Sequence, residues 1–313
     1  MAQPLLARVR ARHSQARLEA LGPPWVAPVL RRMPEVDEVI EADFRHGALQ
    51  LAERWRLGRA LAARAYDLAL VLPNSWKSAL VPFFARIPVR AGYTGEARYG
   101  LLNRRYRARA APMVEHYAAL ADAAGAAAGQ ALPPPRLRVE PASVARTAKR
   151  FGIAGEYCVL CPGAEYGPAK RWPYFAELAP RLPVPAVLLG SATDREACDG
   201  VPGLNLAGRT TLDEAMDLIA GARFVVTNDS GLMHVAAALG RPLVAIFGSS
   251  SPEHTPPRSD SARVLWLRLE CSPCFARVCP LGHLRCLREI PVEQVLAELN
   301  RVRPGPDPDF RQQ

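Results

Sequence analysis

Lysine is nearly missing from this chain. Of 40 basic residues only Lys77, Lys149 and Lys170 are lysine, and the rest are arginine. Against that background a lysine marks a place where a compact ammonium matters. Aromatic residues make up only 7%, and no basic run is interleaved with them as a stacking groove for nucleic acid requires. The formal net charge of +10 therefore points away from nucleic acid and towards a phosphorylated substrate or a membrane face. No apolar run approaches the roughly 18 residues of a membrane span. The opening "MAQPLLARVRARH" is basic and amphipathic but has no signal-peptide core, so a cytoplasmic location is expected. Seven cysteines, an odd number without an export signal, read as thiols or metal ligands and exclude a disulfide framework.

What is present is a repeated strand–helix rhythm. In the first half "ARLEAL", "VDEVIE", "YDLALVLP" and "VRAGY" read as strands. Between them "PPWVAPVLRRM", residues 48–64 and "SWKSALVPFFAR" read as helices, the last capped by Ser75 and kinked at Pro82. Residues 113–128 read as one more helix. The proline-rich "ALPPPRLRVEP" at 131–141 is the best boundary. In the second half "YCVLCPG", "PAVLLGS", "ARFVVT" and "PLVAIFGS" alternate with helices, ending on "PVEQVLAELNRV". The expectation is α/β: two doubly wound, Rossmann-like domains facing a cleft, over 1–135 and 136–303, with 304–313 a loose tail.

Two loops of the second half leave strands and enter helices, where doubly wound sheets bind anionic ligands. In "TNDSGLMHVAAALGRP" (227–242), Asp229 or Ser230 is an N-cap, Gly231 leaves the backbone open, and His234 lies one turn on from Ser230. A Ser-His-Asp hydrolase is excluded, because a nucleophile elbow needs a glycine two residues before the serine. In "CPGAEYGPAKRWP" (161–173), Gly163 lets the backbone approach a ligand and Lys170 can place a point charge on a phosphate. Trp172 offers a flat face for a base or packs on the sheet.

"LPNSWKSALVPFFARIPVRAGYTGEARYGLLN" (72–103) combines Asn74, Ser75, Lys77, Arg86, Arg90, Arg98 and Tyr99. It reads as an anionic sugar-phosphate acceptor site or as a solvated helix face. "CSPCFARVCPLGHLRC" brings Cys271, Cys274, Cys279 and Cys286 together with His283. Tetrahedral zinc, a reduced thiol cluster and redox sensing are its three readings, and the second pair lacks the usual zinc-knuckle spacing.

Together, "VTNDSGLMHVAAAL", "PGAEYGPAKRWP", "LPNSWKSALVPFFARIP" and the cysteine-rich run resemble the heptosyltransferase II group of glycosyltransferase family 9. The resemblance runs from about residue 17 to about residue 300. It implies a GT-B fold and inverting transfer of L-glycero-D-manno-heptose from ADP-heptose to the first heptose of the Kdo2-lipid A core. It implies work at the inner leaflet of the inner membrane, with an anionic lipid acceptor and no cofactor or metal. Lys170 and Asp229 would be catalytic. Gly163, Lys170, Asp194, Asp229, Ser230, Gly231 and His234 would bind the donor; Asn74, Ser75, Lys77 and Arg98 would bind the acceptor. Family members open with a strand and a Gly-Asp loop whose aspartate is the proposed base. Met1 stands about where that loop ends, so that segment is expected to lie upstream of the sequence as written. In its absence His46, Glu96 and Glu165 are the substitute bases within this sequence, although none occupies the corresponding strand exit.

Overall fold

The computed structural model describes residues 1–45, 47–108, 111–125 and 131–302. His46 and the tail 304–313 lie outside the described residues. The chain divides into two compact units. One comprises Met1–Arg31 and Glu35–Pro133, the other Arg32–Pro34 and Pro134–Gln313. Arg32 belongs to the second unit for an electrostatic reason: its guanidinium meets Asp217 Oδ1 at 2.8 Å and Asp213 Oδ1 at 3.2 Å.

Unit 1 carries β1 (Glu19–Gly22), β2 (Glu38–Glu41), β3 (Leu68–Val71), β4 (Val89–Tyr93) and β5 (Arg104–Tyr106). All pairings are parallel, but they form two sheets, β1-β2 and β3-β4-β5, with no ladder between β1 and β3. The strands are accordingly only part-buried along most of β1, β2 and β3. Among the described residues unit 1 shows three small apolar clusters. Leu5, Val9, Tyr93 and Leu120 form the first, Leu61, Val81 and Ile87 the second, and Val71, Ala79 and Leu102 the third. The helix expected at 75–86 is split, with a 3₁₀ turn at Trp76–Ala79 preceding an α-helix at Leu80–Phe84. Ser75 occupies the cap position, yet its hydroxyl makes no capping bond.

Unit 2 is a continuous six-stranded parallel sheet. Its strands are β6 (Cys158–Cys161), β7 (Ala186–Leu188), β8 (Leu204–Asn205), β9 (Val225–Asn228), β10 (Leu243–Ile246) and β11 (Ala262–Leu265). The spatial order is β11-β10-β9-β6-β7-β8. Every residue of β6, β9 and β10 is buried, as expected of apolar runs covered on both faces. The core joins Leu160, Leu188, Val226, Val244 and Ile246 of the sheet to Phe175, Leu178, Leu287 and Val295 of the covering helices. Trp172 belongs to this core, 2% exposed, with its indole N–H donating to Ile290 O at 2.9 Å. Of the two sequence readings for Trp172, packing is the one the structure adopts.

The strand order reverses between β6 and β9. The chain runs outward through β7 and β8, then returns to the other side of β6 for β9, β10 and β11. That is a topological switch point, where loops from the carboxyl ends of adjacent strands diverge and leave a crevice. The two loops singled out in the sequence are those that follow β6 and β9.

Candidate active site

At the end of β9 the sequence turns from apolar to polar, and each polar side chain has a distinct task. Asn228 is wholly buried. Its Oδ1 accepts from Trp172 N at 3.0 Å, and its Nδ2 donates to Pro162 O at 2.7 Å. One amide thus staples the β6 loop to the β9 loop. Thr227 Oγ1 lies 3.2 Å from Ser230 Oγ. Ser230, in extended backbone, is the cap residue of the helix Gly231–Ala238, but its side chain makes no capping bond. The first-turn N–H groups therefore keep their donors, and the space a Gly231 side chain would fill is open. An uncapped helix start with a bare glycine binds an oxyanion through backbone donors and the helix dipole.

Asp229 is not the cap, although the sequence allowed it. Its Oδ2 accepts from Lys170 Nζ at 2.5 Å, in an ion pair whose side chains are only 17% (Lys170) and 7% (Asp229) exposed. The ammonium also sits 4.9 Å from the Tyr166 ring centroid, on which Arg277 packs at 5.2 Å. The lysine loop is braced from the cysteine-rich segment: Ala169 N donates to Arg277 O at 3.0 Å, and the Tyr166 hydroxyl donates to Phe275 O. At Gly167, φ is +142° and a Cβ would stand 2.5 Å from Arg277 O, so only glycine serves there. His234 is half-buried on the same helix, and burial pushes its imidazole down to about 4.

Gly163 and Asp194 are brought together more closely than the sequence indicated. A Cβ on Gly163 would lie 2.2 Å from the Asp194 carboxyl, and one on Gly190 would lie 2.8 Å from Asp194 Cβ. The two glycines form a slot for this side chain. Asp194 Oδ2 accepts from Ser191 N and Oγ in a capping box, while Oδ1 is buried without a hydrogen-bond partner, 3.9 Å from Arg171. Asp194 is first an organiser of this loop pair, with Oδ1 its one atom left for a ligand. Asn228, Tyr166, Arg171 and Arg277 were missed from the sequence because each acts across a long separation. The buried hydroxyls of Ser249 and Ser250, which lack partners, stand in "FGSSS" after β10 and carried no recognisable spacing.

In unit 1 the expected acceptor residues divide. Asn74 is exposed and Ser75 half-buried. Lys77 and Arg98 are not free cations. Lys77 Nζ donates to Ala48 O at 3.2 Å. Arg98 is 2% exposed, donates to Pro73 O at 2.6 Å and to Tyr93 O, and burial lowers its pKa. A guanidinium can hold several carbonyls at once, so Arg98 ties together the ends of the segment assigned to the acceptor. Arg90 does the same for Leu101 O and Ile87 O, while Arg86 and Tyr99 are exposed. Glu96 accepts from Trp76 N at 3.0 Å, and Glu165 is exposed.

Cys271, Cys274, Cys279 and Cys286 line one small cavity of ≈ 20 Å³ with His283, Ala169 and Ser249. Among the described residues no three ligand-type side chains are grouped so as to hold a metal ion, and all four thiols are free. The zinc reading therefore finds no assembled ligand set. Backbone N–H groups, that of Leu284 foremost, hold the Cys279 thiol below its ordinary pKa, and burial pushes Cys286 up to about 11.

Comparison with known proteins gives the family. The family model "Glycosyltransferase family 9 (heptosyltransferase)" matches residues 54–285. Lipopolysaccharide heptosyltransferase 2 of Escherichia coli K12 is 46% identical over 327 residues, covering 96% of this chain and 94% of the relative. The enzyme of the same name from Salmonella typhimurium LT2 gives the same identity and coverage. The solved structure of E. coli ADP-heptose LPS heptosyltransferase II superposes with a TM-score of 0.84 at 43% identity, over 96% of this chain and 93% of that one. The chain belongs to glycosyltransferase family 9, the heptosyltransferases. Its fold class is α/β of the GT-B type.

Proposed function

We propose that this chain transfers L-glycero-D-manno-heptose from ADP-heptose to the first heptose of the Kdo2-lipid A inner core, with inversion at the anomeric carbon, at the inner leaflet of the inner membrane. The observation that carries the reading is the Lys170–Asp229 pair, 2.5 Å apart, beside an uncapped helix start at the switch point of the unit 2 sheet. Breaking the bond from the anomeric carbon to the β-phosphate leaves additional negative charge on ADP. Stabilising that charge with preorganised donors is the main electrostatic task. Lys170, held in place by Asp229 and Tyr166, and the N–H groups at Ser230 and Gly231 perform it. Gly163, His234 and the free Oδ1 of Asp194 complete the donor site, while Asn74, Ser75, Lys77 and the loop tied by Arg98 form the acceptor side. Because protein groups meet the diphosphate, neither a metal nor another cofactor is needed.

The test is ADP release from ADP-heptose with a mono-heptosylated Kdo2-lipid A acceptor, with and without a chelator of divalent cations. Acceptor-dependent release that survives the chelator supports the reading. Absence of release, or an absolute cation requirement at saturating donor, overturns it or its metal-free chemistry respectively.

A further inference from the structure

The net positive charge of this chain is concentrated. Residues 45–108 contain twelve arginines and lysines against Glu53, Asp67 and Glu96, so nine of the ten net charges fall in about a fifth of the sequence. Several of these cations have the internal tasks described above. Arg45, Arg56, Arg59, Arg86, Arg104 and Arg107 do not: each is exposed and makes no ion pair with a described acid. The same stretch exposes Leu49, Leu51, Trp55, Trp76, Phe83 and Tyr99.

The helix Leu51–Leu61 organises part of this surface. Arg54, Gly58 and Leu61 face inward, Gly58 lying against Val81 O and Phe84 of the neighbouring helix Leu80–Phe84. Trp55, Arg56 and Arg59 are exposed on the side away from that stripe, and Leu51, exposed at the helix start, lies one turn before Trp55 at the stripe's edge. Phe83 and Arg86 are exposed on the neighbour. Exposed leucine and tryptophan amid unpaired arginines are what a surface resting in a headgroup layer requires. The indole and isobutyl groups enter the acyl boundary, and the guanidinium groups meet lipid phosphates. A nucleic-acid groove would instead call for interleaved stacking platforms.

We propose that the exposed face of the helix Leu51–Leu61 that carries Trp55, Arg56 and Arg59, edged by Leu51, is a docking surface for an anionic bilayer. The inference deepens the proposed function and rests on its lipid-borne acceptor. Docking would present unit 1 to an acceptor that never leaves the membrane.

The experiment is flotation of the full chain with phosphatidylglycerol-containing vesicles and with pure phosphatidylcholine vesicles. Binding to the former that weakens as salt rises is expected. Each basic residue near an anionic surface contributes about 1 kcal/mol, or roughly fivefold, so Arg56→Glu with Arg59→Glu should lower the partition by at least about 25-fold. Leu51→Ser with Trp55→Ser should lower it without altering the salt slope. All four positions are exposed, and unchanged melting temperatures verify the fold. Transfer to detergent-dispersed acceptor should be unaffected, while transfer to vesicle-borne acceptor falls. Absent vesicle binding, or equal binding by wild type and both variants, overturns the proposal even if transfer persists. So does loss of heparin retention in the arginine variant without any vesicle binding, which assigns the surface to another polyanion. Vesicle binding without transfer to either acceptor form supports docking and overturns the transfer reading alone.

Discussion

Lys170 and Asp229 were legible in the sequence as separate candidates, one in each strand-exit loop, because a strand–loop–helix with small and charged residues is a local pattern. Their contact at 2.5 Å was not legible, since 59 residues separate them. The contact changes what each mutation should do. Lys170→Ala removes a charge-stabilising donor and should lower kcat by roughly 10²–10³. It also leaves a buried carboxylate unpaired, with a stability loss of up to about 3 kcal/mol. Asp229→Asn should lower turnover while sparing stability, because asparagine can still accept from the lysine and the cap belongs to Ser230. Steady-state kinetics beside melting curves for both variants check this. A destabilised Asp229→Asn with normal turnover in its folded fraction would make Asp229 structural. His234 gives a pH prediction. Its folded pKa of about 4 lies below the ordinary 6.5, so protonation favours the unfolded chain. Its contribution is intact above pH 6.5 and is lost as the pH falls from there towards 4, by at most about 3 kcal/mol. Wild type should therefore lose more stability than His234→Gln between pH 7.5 and 4.5 in denaturant titrations. Parallel losses would clear His234 of this role.

At the scale of elements, the buried strands were readable because their apolar runs are bounded by turn residues. The short edge strands β5, β8 and β11 were not, nor was the helix Pro141–Arg150, which opens inside the proline-rich stretch taken for a linker. The residues of these strands, Leu265 apart, are exposed or part-exposed and form no apolar run, and their pairing depends on neighbours far along the chain. The glycines of the β6 loop were read as room for a ligand. Gly163, together with Gly190 after β7, also leaves room for Asp194. A double-mutant cycle can measure that packing. Gly163→Ala should cost about 1–3 kcal/mol through overpacking, and Asp194→Ala about 1 kcal/mol through loss of the cap. Combined, the two should cost less than their sum, because the 2.2 Å clash with the carboxyl is relieved while the 2.4 Å approach to the position 194 Cβ remains. Additive losses in urea titrations would show that the close approach does not govern this loop.

The whole molecule joins two units of unequal build. Unit 2 has one continuous sheet, four wholly buried strands (β6, β7, β9 and β10) and a large core. Unit 1 has its five strands in two sheets and, among the described residues, three small clusters. Parallel strands gain stability chiefly from burial on both faces. Unit 1 should therefore be the less stable, and heating should give two transitions instead of one. The ligand assigns them. If ADP binds the β6 and β9 loops of unit 2, it stabilises only the transition that includes that sheet, by about 2.7 kcal/mol at one hundred times its Kd. Calorimetry with and without ADP should show the lower transition fixed and the upper one moved upward. Fluorescence separates them independently, since Trp25, Trp55 and Trp76 lie in unit 1 and Trp172 and Trp266 in unit 2. With Trp172 and Trp266 replaced by phenylalanine, emission should report the lower transition alone. A single transition that ADP shifts as a whole would mean the units unfold together. A lower transition that moves with ADP would place the nucleotide on unit 1 and overturn the donor-site assignment.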